Sequence, residues 1–101
     1  MVPEPDKYQS REIRRVIRDI LLEEWDPLGV RGTSGAERVY DAFVGSVYLL
    51  LKMPDITVDQ VGAHLIDAAV ERLAFERTEI APASARAAAK LMELRPQLQL
   101  H

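Results

Sequence analysis

The chain has 101 residues and a mass of 11.4 kDa, enough for a single small domain. Apolar residues make up 48% and charged residues 29%, an ordinary globular balance that speaks against a disordered chain, a collagen-like fibre or a membrane protein. There is no cysteine, so disulfides, thiolate metal sites and cysteine nucleophiles are excluded, and 13 basic against 16 acidic residues, a net charge of −3, argue against a nucleic-acid partner.

The first residues, Met1-Val2-Pro3-Glu4-Pro5-Asp6, hold neither a cationic nor an apolar signal region. The longest apolar run, Val47 to Leu51, falls far short of the roughly 20 residues of a spanning helix. A cytoplasmic location and no membrane association are therefore expected. Ten arginines to three lysines, with twelve alanines, suggest a GC-rich bacterial genome.

Strand signals are nearly absent, and Asp26-Pro27, Met53-Pro54 and Ala81-Pro82 divide the chain. The first helix is predicted over residues 10–25, with Ser10 as N-cap. Its inward stripe is Ile13, Val16, Ile17, Ile20 and Leu21, opposite Arg11, Arg14, Arg15 and Arg18. An Arg15–Asp19 ion pair is expected on that outer face. Asp26-Pro27-Leu28-Gly29 matches a type I turn.

A second helix over residues 35–52 opens on the capping box Ser34-Gly35-Ala36-Glu37. Its broad apolar arc includes Ala36, Val39, Tyr40, Phe43, Val44, Val47, Leu50 and Leu51, which marks it as the most buried helix. Thr57-Val58-Asp59-Gln60 opens a third helix, residues 57–75, with Val58, Val61, Leu65, Ile66, Ala69 and Leu73 inward. Gly62 lies among them, where a missing side chain admits a close neighbour. The fourth helix, residues 82–95, starts with Pro82 at its first position, and the tail from Gln97 frays unless Leu98 and Leu100 dock. The expected architecture is one all-α domain, residues 1–101, forming a small, roughly antiparallel four-helix bundle.

Glu23, Glu24, Trp25 and Asp26 break a local rule. Carboxylates at a helix C-terminus oppose the macrodipole, each at a cost of roughly 0.3–1 kcal/mol. Uncompensated rule-breaking is where functional sites tend to lie, and Asp41 reaches the same corner if the first two helices pack antiparallel. The competing reading has arginines neutralising the corner, Trp25 covering the edge of the core and Asp26 starting the turn. Leu22 falls on the arginine face and forms, with Trp25, a small contact patch. Leu22 and Leu49, both off the main apolar faces, are candidates for homodimer contacts.

Other constellations are weaker. His64 shares a polar face with Gln60, Asp67 and Glu71, but one histidine on an open helix rarely holds a metal. The segment from Ile56 to Leu65 resembles the first helix of a helix-turn-helix, yet no basic recognition helix follows. Between Met53 and Glu79 there are six acids and two arginines. Ser10, Ser34, Ser46 and Ser84 have no paired histidine in any recognisable motif. The Gly29–Gly35 loop lacks the lysine of a phosphate loop, leaving only a weak anion site at the start of the second helix, with Arg31 or Arg38 assisting.

Ile17-Arg18-Asp19-Ile20-Leu21-Leu22-Glu23-Glu24-Trp25-Asp26-Pro27-Leu28-Gly29-Val30, followed by Tyr40-Asp41-Ala42-Phe43, resembles a family of small uncharacterised all-α bacterial proteins. The likeness covers roughly residues 13–73 and rests on Glu24, Trp25, Asp26, Pro27, Gly29, Tyr40 and Asp41. It implies a helical domain without an established activity, and by analogy an immunity- or inhibitor-like protein. The expected function is a non-enzymatic protein–protein interaction module, with Glu24, Trp25, Asp26, Tyr40, Asp41 and Leu22 meeting the partner. The alternative is a small-ligand or divalent-cation site at Glu24, Asp26 and Asp41. No resident cofactor or metal is expected.

Overall fold

The computed structural model describes residues 7–98, all of whose regular structure is helical. The elements are α1 (Lys7–Ile20), a π-helical turn (Leu21–Trp25), α2 (Ala36–Val39), α3 (Asp41–Leu51), α4 (Val58–Leu73), α5 (Arg77–Met92) and α6 (Arg95–Leu98). No described helix is long and apolar enough to cross a membrane. Residues 1–6, where a signal was sought, and residues 99–101, including Leu100, lie outside the described residues.

Four of the six helices are long, and they pack in a closed ring. α1 lies on α3, α3 on α4 and α4 on α5, while α5 returns to α1 and the π turn. The molecule measures 48 × 32 × 19 Å, room for two helix layers about 8–10 Å apart. One core cluster runs from Ile13 through Val47, Leu51 and Leu65 to Leu91 and Leu94. α3 contributes Phe43, Val44, Val47, Tyr48 and Leu51, the densest set of buried residues of any helix.

Several boundaries differ from expectation, each for a local reason. α1 already runs at Lys7, so Ser10 is interior, and its hydroxyl donates to Tyr48 Oη (3.4 Å). Gly35, at φ +79°, caps α2 with its backbone, and the Ser34–Glu37 box does not form. The second helix breaks at Tyr40 (φ −103°, ψ 12°), which turns Val39 outward and separates α2 from α3. Val58, in the first turn of α4, is also exposed. The Thr57 box forms as expected: Gln60 N–H donates to Thr57 Oγ1 and Thr57 N–H donates to Gln60 Oε1.

Pro82 is not the first residue of α5. Glu76 caps that helix in a box with Glu79, and Pro82 lies inside it. In sequence an interior proline and a first-turn proline look alike, and glutamate is not among the preferred N-cap residues. At the far end Met92 closes α5, and α6 restarts at Arg95. The Arg95 guanidinium donates to the Leu51, Met53 and Pro54 carbonyls at 3.2, 2.9 and 3.2 Å, covering the open end of α3. Leu98 packs against the core.

Between α4 and α5 the chain reverses in three residues. Ala74 takes a left-handed conformation (φ +63°), and its amide and that of Phe75 both donate to the Ala69 carbonyl. Gly62 then faces α5. A Cβ there meets Ala88 Cβ at 3.7 Å, ordinary contact distance, as the small-residue reading of this position implies.

Candidate functional site

The corner singled out from sequence is built by the π turn. In an α-helix, residues four apart drift by about 40° around the axis, so a further α-helical step beyond Ile13, Ile17 and Leu21 would carry Trp25 away from the core. At Leu21 the bonding pattern widens, and Asp26 N–H closes on the Leu21 carbonyl at 2.7 Å. The inserted residue reverses the drift and returns Trp25 to the interior. Leu21 is 0% exposed and Trp25 only 3%.

Inside, the indole meets Tyr40 (centroids 5.5 Å apart) and Phe43 (5.6 Å, edge-on). Its N–H donates to Ser84 Oγ on α5 at 3.0 Å, and Ser84 is fully buried. Trp25 therefore anchors α1 to α3 and α5. This corrects the expectation that it faces a partner, because its ring has almost no surface to offer.

Asp26 ends the π turn in the left-handed region (φ +31°, ψ 59°), which a short polar side chain tolerates. Its carboxylate accepts from Val30 N–H (2.9 Å), Arg31 N–H (3.0 Å) and Tyr40 Oη–H (2.7 Å). The Tyr40 oxygen in turn accepts from Leu28 N–H at 3.0 Å. Gly29 N–H donates to the Asp26 carbonyl at 3.1 Å, the bond expected of the Asp-Pro-Leu-Gly turn. One carboxylate and one phenol thus organise the whole 26–31 loop, and Tyr40 is 0% exposed.

The titration properties follow. Partial burial by itself raises the Asp26 pKa, but the Tyr40 hydroxyl, the Val30 and Arg31 amides and the Arg31 charge outweigh it, leaving the carboxyl below its ordinary value. For Tyr40, burial and then the neighbouring Asp26 carboxylate push the phenol well above the ordinary value of 10, against the opposing Leu28 amide.

Asp41 points the other way. It sits in the first turn of α3, a favourable place for an acid, and accepts from Arg18 Nε at 2.8 Å. Arg15 pairs with Glu12 at 3.4 Å in place of the expected Asp19. Leu22, expected on the exposed arginine face, is half-buried against the core. Of the six expected partner-binding residues only Asp41 is exposed, and it is engaged with Arg18; Leu22, Glu24 and Asp26 are half-buried, and Trp25 and Tyr40 are buried. Asp26 is held by its own loop, so the three carboxylates proposed as cation ligands do not converge. No group of three metal-ligating side chains occurs among the described residues.

The structure assembles two surfaces that sequence reasoning did not. Between α3 and α4 lies a recess of about 360 Å³ floored by Ala42, Phe43 and Ala68, with Ser46, His64 and Arg72 on its walls. Ser46 Oγ is 3.1 Å from His64 Nε2, a pairing invisible in linear sequence because 18 residues separate the two. It is not a catalytic triad: the Ser46 hydroxyl also donates to the Phe43 carbonyl, and Asp67 accepts from Arg77 at 2.9 Å. Between α4 and α5 a second, mainly apolar groove of about 440 Å³ is lined by Val58, Gly62, Ala63, Ile66, Ala81 and Ala85, with Asp59 at its edge. Val58 and Ile66, expected inward from their helical spacing, face this groove, with Val58 42% exposed and Ile66 partly buried. The run of alanines in α5 was the available signal for a shallow surface.

Comparison with protein-family models, with curated proteins and with solved structures finds no match to this chain, so its functional reading stands on its own geometry.

Proposed function

We propose that the protein is a non-enzymatic interaction module of the bacterial cytoplasm that binds a cationic, amphipathic helix of a partner protein. The groove between α4 and α5 carries this reading. Its small side chains, Ala63, Ala81 and Ala85, let a helix approach closely, and Val58 and Ile66 supply apolar walls. Charge selects the occupant. Asp59 borders the groove, Asp55 lies exposed just before α4, and neither has an ion-pair partner among the described residues. The whole chain carries −3, so a basic helix is drawn in and an acidic one repelled. An immunity- or inhibitor-type role is the form of such binding suggested by the resemblance of the Trp25 turn.

The test uses two synthetic amphipathic helices, one of leucine and lysine and one of leucine and glutamate, titrated into isotopically labelled protein. The lysine peptide is expected to shift the Gly62, Ala63, Ile66 and Ala85 amides. Ala63→Arg, at an exposed position, should weaken it at least about tenfold, a change of roughly 1.4 kcal/mol. Equal binding of both peptides, or indifference to Ala63→Arg, overturns the proposal.

A further inference from the structure

We infer that the recess between α3 and α4 is a binding site for a small monocarboxylate with an apolar body, recognised by Arg72. Three features of the recess support this. First, the space is made by small side chains: Ala42 and Ala68 leave open a volume of about 360 Å³ beside Phe43. That is the lower end of the range for small-molecule sites, roughly 300–1,000 Å³.

Second, the cation is positioned and unspent. The Arg72 guanidinium carbon sits 5.7 Å from the Phe43 ring centroid, and Arg72 has no carboxylate partner among the described residues. A guanidinium held over an aromatic face presents its planar fork, which matches a carboxylate through two parallel hydrogen bonds. His64 and Ser46, hydrogen-bonded to each other across the recess, add a polar edge to it.

Third, the neighbouring acids set the charge of the ligand. Asp67 lines the recess but is answered by Arg77 at 2.9 Å. Glu71 also lines it and has no ion-pair partner among the described residues. A phosphate dianion meets that carboxylate as a second repulsive charge, whereas a single carboxylate engaged by Arg72 does not need to approach it. The apolar body of the ligand covers Ala42 and Ala68 and meets the small part of Phe43 that stays exposed.

Benzoate is the probe, with benzamide as its neutral isostere and inorganic phosphate as the competing anion, each followed by amide chemical shifts. Benzoate is expected to move the Phe43, Ser46, Ala68 and Arg72 amides saturably. Benzamide and phosphate should bind at least about tenfold more weakly, as should benzoate to Arg72→Gln. Arg72 is exposed, so the variant keeps its fold; Ala68→Leu, which fills the recess without altering charge, should independently abolish the benzoate shifts. Equal binding of benzoate and benzamide, phosphate binding as tightly as benzoate, unchanged affinity in Arg72→Gln, or shifts confined to other surfaces overturns the assignment.

Discussion

Removing one oxygen atom tests the account of the Trp25 corner. In Tyr40→Phe the ring stays, packed against Trp25 and Phe43, while two hydrogen bonds vanish: the 2.7 Å bond given to Asp26 and the 3.0 Å bond taken from Leu28 N–H. A bond to a charged acceptor is worth about 1.5–3 kcal/mol. The Leu28 amide adds little, because that residue is 46% exposed and water can replace the lost acceptor. The expected loss is about 2–3 kcal/mol, or a fall in Tm of roughly 10–20 °C for a domain of this size. Urea denaturation followed by the fluorescence of Trp25, the one tryptophan of the chain, measures it directly. The pH dependence gives a second, sign-specific readout. The folded phenol is raised above 10, so its stabilisation is present below pH 10 and is lost as pH rises through the folded value. The folded Asp26 carboxyl lies below its ordinary value of 3.8, so its contribution is present above that pH and is lost as pH falls through the folded value. Tyr40→Phe should abolish the alkaline loss and shrink the acid one. A variant within about 0.5 kcal/mol of wild type, the range of ordinary surface substitutions, with an unchanged alkaline limb would refute the reasoning.

Other substitutions test separate parts of the same scaffold. Ser84→Ala strips the acceptor from the buried indole N–H and should cost about 1–3 kcal/mol, with strong non-additivity when combined with Trp25→Phe in a thermal-unfolding double-mutant cycle. Arg95→Gln uncovers the carbonyls at the end of α3 and should cost about 1–2 kcal/mol in urea titrations, with amide exchange accelerated near Lys52 and Met53. Two changes in opposite directions should both stabilise: Ala74→Gly by relieving the left-handed backbone, and Gly62→Ala by about 0.5–1 kcal/mol of helix propensity, since its Cβ meets only ordinary contacts. A fall in Tm for Gly62→Ala would show that α4 and α5 approach more closely than described. Millimolar calcium or magnesium should leave Tm unchanged, because Glu24, Asp26 and Asp41 do not converge; a rise of several degrees would restore the cation reading.

What the amino-acid sequence determined by itself lay among near neighbours, where a single local pattern dominates. The helical period of Ile13, Ile17 and Leu21, the Thr57–Gln60 cap and the Asp26–Gly29 turn all rest on spacings of three or four residues, and those distances are set by local backbone geometry. The all-helical character followed for the same reason. Where the local patterns were ambiguous the boundaries slipped: Ser34 and Gly35 offered alternative caps, and Pro82 fits both a first turn and an interior that starts earlier.

Only the tertiary structure decided which side of the Trp25 corner faces inward. That choice rests on an inserted residue in the helix and on Ser84, 59 residues away, which offers the indole its one hydrogen-bond partner. The carboxylates of the same corner looked uncompensated because their partners, the Tyr40 phenol for Asp26 and the Arg18 guanidinium for Asp41, lie 14 and 23 residues distant. The α3–α4 recess is likewise a product of packing. It joins residues from two helices, and a periodicity that assigns each side chain to a face of its own helix carries no information about which face of another helix it will meet.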